Sequence, residues 1–451
     1  MLSNLGTLYR LRYEQLGDAK DIDSAIRQQF KAVASIPRDS RHRPAIFMNF
    51  GISYLRRFER FGERKDIDFA IDQMLEAVTA CPLTSAHRAG RLSNIGNLYQ
   101  RRFEWFGNIN DLDFAIKHQL EAVASIPHNS AADPLVHSSL GNSYLLRFER
   151  SGAMKDIGSA VEQLFKAAAS VPPNSVHRPG IFHNLGNSYQ CRFEWFGNIQ
   201  DLEFAIKGLH EAVASIPLNH SNRPAVLNNL GTSYMLRFGR FGKKDDIDFA
   251  IKQQFEAVAS TLPDSPNRAE YLSNLGASYH DRFTHFGEVN DIDSAINQQF
   301  EAVAFTLPNS TKRAAYLHNL GLSYKIRFTH TGHVKDIDSA IERLLEAVAS
   351  IPLDSSKRLG FLSSLGISYR SHFSRFGEVK DIDLAIKQQL EAVASTPLQS
   401  AKRAKRLNNL GGSYQNRFDR FGEMKDIDLP SNNCLRQFLP LHSITLTAQY
   451  M

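Results

Sequence analysis

A glycine preceded by one apolar residue and, before that, by Asn or Ser recurs at Gly6, Gly51, Gly96, Gly141, Gly186, Gly231, Gly276, Gly321, Gly366 and Gly411. Every interval is 45 residues, so nine intervals run from Gly6 to Gly411 without an insertion. A fixed period of this size marks a repeat array, in which each repeat buries its apolar face against its neighbours instead of closing a core of its own. For 451 residues the alternative would be about three globular domains. The unbroken spacing also leaves no repeat with an inserted lid, domain or catalytic loop.

Positions are counted here from the repeat glycine as zero. Apolar residues fall at −4, −1, +3, +7 and +10, as in Leu227, Leu230, Tyr234, Phe238 and Phe241. Steps of three and four trace one face of an α-helix. A second glycine stands at +11 in all ten repeats, from Gly17 to Gly422, where a left-handed C-cap is expected. Ser at −11, as in Ser40, Ser85, Ser130 and Ser400, is an N-cap candidate. These signals predict a first helix of about twenty residues. Asp at +15, from Asp21 to Asp426, reads as the N-cap of a second helix and suits its dipole. That helix carries the stripe Ile247, Ile251, Phe255 and Val258, with small residues at Ala250 and Ala257 for close approach of a neighbour. A proline shortly after, as at Pro82, Pro127 and Pro263, ends it. The fold class is therefore all-α: a right-handed α-solenoid of ten 45-residue helix-turn-helix repeats over residues 1–429, with ten first helices and nine full second helices.

Composition excludes several classes. With 42% hydrophobic residues the chain can bury a core, which excludes wholesale disorder. Cys81, Cys191 and Cys434 make neither a disulfide framework nor a paired-cysteine zinc site. No apolar run reaches the ~18 residues of a membrane helix, and no secretory signal is visible. These features point to a soluble protein of a reducing compartment, cytoplasmic or nuclear, with the cytoplasm as the expectation and no membrane partner. The net charge of +6, from 53 basic and 47 acidic side chains, is mild.

The spacings resemble the tetratricopeptide repeat: Phe50, Gly51, Tyr54, Ala70, Ala77 and Pro82 fall in the order of that motif, with Phe50 where leucine is usual. Seven extra residues lie between the Tyr and the first Ala, and four between the Pro and the next Gly. With its RF-x-x-FG and DID-x-AI patterns this longer repeat resembles the tetratricopeptide arrays of large fungal multidomain proteins. Such arrays often sit beside an NTPase or a caspase-like peptidase domain. The LNNLG stretch ending at Gly231 is similar to kinesin-light-chain-type repeats. The resemblance implies protein–protein interaction and no catalysis.

Residues that might carry chemistry have structural explanations of equal reach. Arg at +6 occurs nine times, with His372 as the exception, and Arg at −8 eight times. A basic ladder can track phosphates. Because Asp at +15 repeats as faithfully, pairing with that aspartate accounts for it better. Aspartate pairs such as Asp66 and Asp68 read as helix-start residues, not as acid/base or metal groups. The histidines show no metal-ligand spacing. No catalytic residue, cofactor or metal is expected.

The candidate binding residues are the asparagines. Asn occupies −2 in eight repeats, with Ser139 and Ser364 in the others, and Asn97, Asn142 and Asn187 add a second row at +1. In related tetratricopeptide proteins the −2 position faces the concave groove. An amide both donates and accepts, so such a ladder can hold an extended peptide backbone whatever its sequence. Asn94, Asn97, Asn142, Asn184, Asn187, Asn229, Asn274 and Asn319 are accordingly the expected peptide-binding set. The lysines that clamp a terminal carboxylate in chaperone-binding relatives are missing, since −3 holds Ser93, Ser138, His183 and Asn228. Position +4 varies freely (Arg10, Leu55, Gln100, Leu145, Gln190, Met235, His280, Lys325, Arg370, Gln415) and is either plain surface or the place where partner specificity is written.

The first repeat begins at −5, and the last leaves the pattern at Pro430, so 430–451 is a divergent tail. Solenoids need capped ends, so the expectation is a fragment or truncated form of a longer protein, or ends covered by a partner. The function that follows is a scaffold for a protein or peptide. Its alternatives are the recognition arm of an NTPase or caspase-like peptidase protein and a nucleic-acid-binding helical repeat.

Overall fold

The computed structural model describes residues 1–126, 133–308, 310–353 and 355–422. The tail 430–451, Asp426, Cys434, Pro127 and Ser130 lie outside them. Nineteen helices and no strand occur among the described residues. The chain forms two compact bodies, residues 1–233 and from Tyr234 onward. The first holds α1 (Leu2–Leu16), α2 (Ala19–Ser35), α3 (Arg43–Phe61), α4 (Arg64–Thr79), α5 (Arg88–Phe106), α6 (Asn110–Ala124), α7 (Pro134–Ser151), α8 (Met154–Ser170), α9 (Arg178–Phe196) and α10 (Ile199–Ser215). Helix α11 (Arg223–Phe241) carries the boundary. The second body continues with α12 (Lys244–Ala259), α13 (Arg268–Phe286), α14 (Val289–Ala304), α15 (Arg313–Thr331), α16 (Val334–Ala349), α17 (Arg358–Phe376), α18 (Val379–Ala394) and α19 (Ala401–Phe421). Odd-numbered helices are the ten first helices and even-numbered ones the nine second helices.

Each first helix ends where the sequence places its second glycine. Gly62 has φ 70°, a left-handed conformation that suits glycine, and its N–H bonds the Phe58 carbonyl at 2.7 Å. A Cβ there would also meet the Trp105 ring of the next repeat at 2.6 Å. The helix starts differ from expectation. Seven of the ten first helices open at −8, not directly after Ser −11. Residues such as Arg41 and His42 form a turn in which the Ser40 hydroxyl accepts the His42 N–H at 3.3 Å. Only at α19 does the serine, Ser400, stand as the N-cap. The second helices start soon after the glycine reversal, so the residue at +12 takes the cap position. Asp18 accepts the Lys20 N–H at 2.9 Å and Asn198 the Gln200 N–H at 3.1 Å. Asp at +15 thereby sits inside the first turn, and its side chain is freed for another use.

The core lies between the two helices of each hairpin and the following first helix. Ile22, Ile67, Leu112, Ile157 and Leu202 in the first body, and Ile247, Ile337 and Ile382 in the second, are fully buried. The repeat glycine is the close-approach point. A Cβ on Gly276 would stand 3.1 Å from the Ala295 carbonyl oxygen and 2.6 Å from Gln299 Cγ, both on the partner second helix. Between repeats, aromatic pairs reinforce the stack: Phe58 meets Trp105 at 5.0 Å, and Phe283 meets His330 at 4.7 Å.

Candidate functional site: the concave first-helix face

Both arginine ladders are spent on holding repeats together. Arg147 at +6 grips Asp156 with Nε and Nη2, each at 2.7 Å, while Nη1 reaches Asp113 of the preceding repeat at 2.7 Å. Arg282 does the same with Asp291 and Asp248. The guanidinium also lies over the tyrosine at +3, 5.0 Å from the ring centre for Arg102 and Tyr99. The hydrogen bonds that Arg147 and Arg282 donate to Asp156 and Asp291 hold both guanidinium groups above the ordinary arginine range, so these cations stay charged and paired. His372 reproduces both contacts, to Asp381 at 2.5 Å and Asp338 at 3.3 Å. Arg at −8 reaches backward instead. Arg313 donates to the Val303 and Thr306 carbonyls at 2.9 and 3.1 Å, neutralising the C-terminal end of α14, and pairs with Glu346 at 2.9 Å. The pairing reading of the sequence is therefore the observed one.

Within each body, first helices touch one another: α1 meets α3, α5 meets α7, α7 meets α9, α13 meets α15, and α17 meets α19. No two consecutive second helices among the described residues come as close. Each stack therefore bends toward its first helices, and their outward face is concave. Opposite the core stripe at −4, −1, +3 and +7, a helix presents −6, −2, +1, +5 and +8. Small residues at −6, such as Gly90, Gly180 and Gly360, leave that stripe open; a Cβ on any of them would meet nothing within 4 Å.

The candidate asparagines divide by environment. Asn94 is exposed, whereas Asn97, Asn142, Asn184, Asn187, Asn229, Asn274 and Asn319 are half-buried. Asn229 donates to His183 Nε2 and to Asn187 Oδ1, both at 2.9 Å, and Asn187 donates to the same His183 nitrogen at 3.3 Å. Asn97 accepts from Gln119 at 3.3 Å. Asn49 and Asn409 show where a −2 amide reaches, the serine at −3 of the preceding helix: Ser3 at 3.5 Å and Ser363 at 3.2 Å. Asn184 lines a cleft of about 970 Å³ together with Leu135, Ser138, Gly180, His183 and Asn222. Burial pushes His183 down to about 4, so it is a neutral acceptor for its two amides at neutral pH.

Position +4 is neither plain surface nor free of packing duty. Gln100 donates to the Ser139 carbonyl at 3.2 Å and the Ser143 hydroxyl at 2.6 Å. Gln190 accepts from Ser233 at 2.9 Å, and His280 lies 3.0 Å from the Ser323 hydroxyl. These bonds join each first helix to the next. A further row was missed in the sequence although its spacing was visible there: Glu14, Glu59, Glu104, Glu149 and Glu194 stand at +8 in the first five repeats. Glu14 is neutralised by Arg10 at 2.8 Å and Arg56 at 2.9 Å. Cys191 is half-buried between Glu149 and Glu194. Burial first, and then those two carboxylates, push its thiol up to about 12, so it is an inert thiol and not a nucleophile. Among the described residues no group of three or more His, Cys, Asp or Glu is placed to hold a metal ion, and no helix is long and apolar enough to cross a membrane.

Fold and face together define a class: an all-α array of tetratricopeptide-like helical hairpins whose first helices line the inner side. No protein-family model matches the chain, and no curated protein matches it. Solved structures do. A Podospora anserina kinesin-light-chain-type protein of nearly identical TPR-like repeats is 16% identical, with a TM-score of 0.36 over 49% of this chain and 96% of its own. Human IFIT1, solved as a dimer with m7Gppp-AAAA, is 16% identical with a TM-score of 0.49 over 97% and 89%. A Pyrococcus horikoshii signal-transduction ATPase with a tetratricopeptide repeat sensor is 13% identical with a TM-score of 0.44 over 89% and 55%. At these identities the likeness is one of helical-repeat architecture.

Proposed function

We propose that the chain is a non-catalytic, cytoplasmic scaffold that binds a peptide or protein on the concave face of its first helices. One observation carries this reading. The outward stripe at −6, −2, +1, +5 and +8 carries a row of asparagines beside small and apolar residues such as Gly90, Ile52 and Leu146, while nearly every other repeated feature is consumed by packing between helices. Asn94, Asn142 and Asn184 lie on it and form no side-chain hydrogen bond among the described residues, so their amides are available to a peptide backbone. The nucleic-acid reading loses its main support, because the arginines that would have tracked phosphates are tied to buried aspartates and helix ends.

Photo-crosslinking tests the reading. Benzoylphenylalanine placed at Asn94 and at Asn184 of the first body is expected to capture the same partner from native lysate, and at Asn319 to capture a partner on the second body. The same group at Lys117, an exposed residue of a second helix, is expected to capture none. Equal capture at Lys117 would contradict it.

A further inference from the structure

Three consecutive first helices of the second body carry basic residues at +4: His280, Lys325 and Arg370. All three are half-buried. His280 is engaged with Ser323. Arg370 donates through Nη1 to the Asn409 carbonyl at 3.1 Å, leaving the rest of its guanidinium without a partner. Lys325 Nζ has no hydrogen bond or ion pair among the described residues, and Arg370 has no carboxylate.

Arg10 shows what a satisfied cation at this position looks like: it pairs with Glu14 one turn on, at 2.8 Å. On the helices of His280, Lys325 and Arg370 that acid is absent, and the one carboxylate at +8 among the described residues of the second body is Asp419 on α19. Position +8 holds Thr284, Thr329 and Ser374, whose hydroxyls turn back to the His280, Lys325 and Arg370 carbonyls at 2.8, 2.9 and 2.9 Å. Position +8 thus supplies no counter-charge on these helices, and only His280 has a carboxylate beside it, Asp281 on its own helix. Burial lowers the Lys325 ammonium below its ordinary range, and the charge of Arg370 lowers it further; burial lowers Arg370 as well. Two like charges are therefore held close together at a cost that an anion would remove. The backbone also makes room for them. Gly412 stands at +1 of the last first helix, where every earlier repeat has a side chain, and a Cβ there would collide with Arg370 Nη1.

We infer that the second body seats an acidic segment of an extended peptide along the edge of its concave stripe, with carboxylates paired to Lys325 and Arg370 at +4; this rests on the scaffold reading above. Contacting helices lie about 8–10 Å apart. That distance is spanned by about three residues of extended chain at ~3.3 Å each. The matching ligand carries Asp or Glu at every third position. Two cations and a hydroxyl-lined wall suit carboxylates on a peptide better than a phosphate backbone, which rewards a longer basic track.

Fluorescence anisotropy on the full chain tests this. The probes are a fluorescein-labelled Gly-Ser peptide with Glu at every third position, its Gln-for-Glu copy, and an oligothymidylate of equal charge. The Glu peptide is expected to bind at least tenfold more tightly than the Gln copy. It is expected to lose at least tenfold with Lys325→Gln/Arg370→Gln and to be unaffected by Lys117→Gln, an exposed residue of a second helix in the first body. Lys325→Arg is expected to retain binding. No preference for Glu, no loss in the double variant, or tighter binding of the oligothymidylate overturns the inference. The scaffold reading is judged separately by the Asn319 crosslink: capture there that persists in the double variant leaves the groove standing while the acidic ligand falls.

Discussion

Arg102→Ala separates the structural role of the arginine ladder from a nucleic-acid role. Arg102 donates to Asp111 at 2.6 Å and to Asp68 at 2.6 Å, and the two carboxylates differ sharply in exposure: 1% for the Asp111 side chain and 42% for Asp68. Removing the cation strands Asp111 as a buried, unpaired charge, which costs about 3–5 kcal/mol. The Asp68 arm is a surface pair worth about 0–1 kcal/mol, so Asp68→Ala should cost no more than that. Arg102→Met/Asp111→Leu removes both charges and should recover most of the loss. Because repeat arrays open locally, urea unfolding should be read together with hydrogen exchange of α5 and α6 against distant helices. Faster exchange in α5, α6 and the adjoining α4, with the double variant restored, is the expected result. A cost under ~1 kcal/mol, or equal costs for Arg102→Ala and Asp68→Ala, would refute the reasoning. Unchanged stability together with weakened oligonucleotide binding would restore the nucleic-acid reading.

Three further outcomes follow from individual contacts. Gln389 is 2% exposed and neither polar atom of its amide has a partner among the described residues, while Leu164, Leu209 and Leu344 fill the same place elsewhere. Gln389→Leu should therefore stabilise by about 1–3 kcal/mol in denaturant unfolding. Gly276→Ala drives a Cβ against Gln299 and the Ala295 carbonyl and should destabilise by roughly 1–3 kcal/mol. His183 and His318 are both pushed down to about 4 by burial from an ordinary 6.5. The unfolded chain takes up these protons first, so their stabilisation is complete above about pH 6.5, falls as pH drops toward 4, and is flat below. A melting temperature that declines over that window, less steeply in His183→Gln, checks the sign; a flat profile from pH 7 to 4 would contradict it.

The architecture was legible because its signals repeat ten times. Glycines at zero and +11, alanines in the second helix and the 3–4 spacing of apolar residues each state one local requirement, and together they fix the hairpin. The pairing of Arg at +6 with Asp at +15 was legible too, since both recur at one spacing. The exact helix starts were not. Ser40 and Asp18 offer the same acceptor chemistry, and only the backbone turn after each decides which becomes the cap. The role of +4 was hidden for a different reason. Gln100 and Gln190, His280 and Arg370 offer an amide, an imidazole and a guanidinium, yet each meets a serine hydroxyl or a −2 carbonyl on the following helix, and that neighbour is 39 to 43 residues away. The meeting of Asn229, Asn187 and His183 was equally beyond reach of spacing alone.

The central claim is that the concave first-helix face binds the partner through amides that the fold does not need. The direct measurement is the affinity of Asn94→Ala/Asn142→Ala/Asn184→Ala for the partner captured at Asn94, by calorimetry, beside its melting temperature and circular dichroism. Each amide should contribute about 0.5–1.5 kcal/mol to binding, so the triple variant should bind at least tenfold more weakly while melting and helicity stay unchanged. Retained affinity with a lowered melting temperature would show that these asparagines serve the fold, and that the partner is held elsewhere.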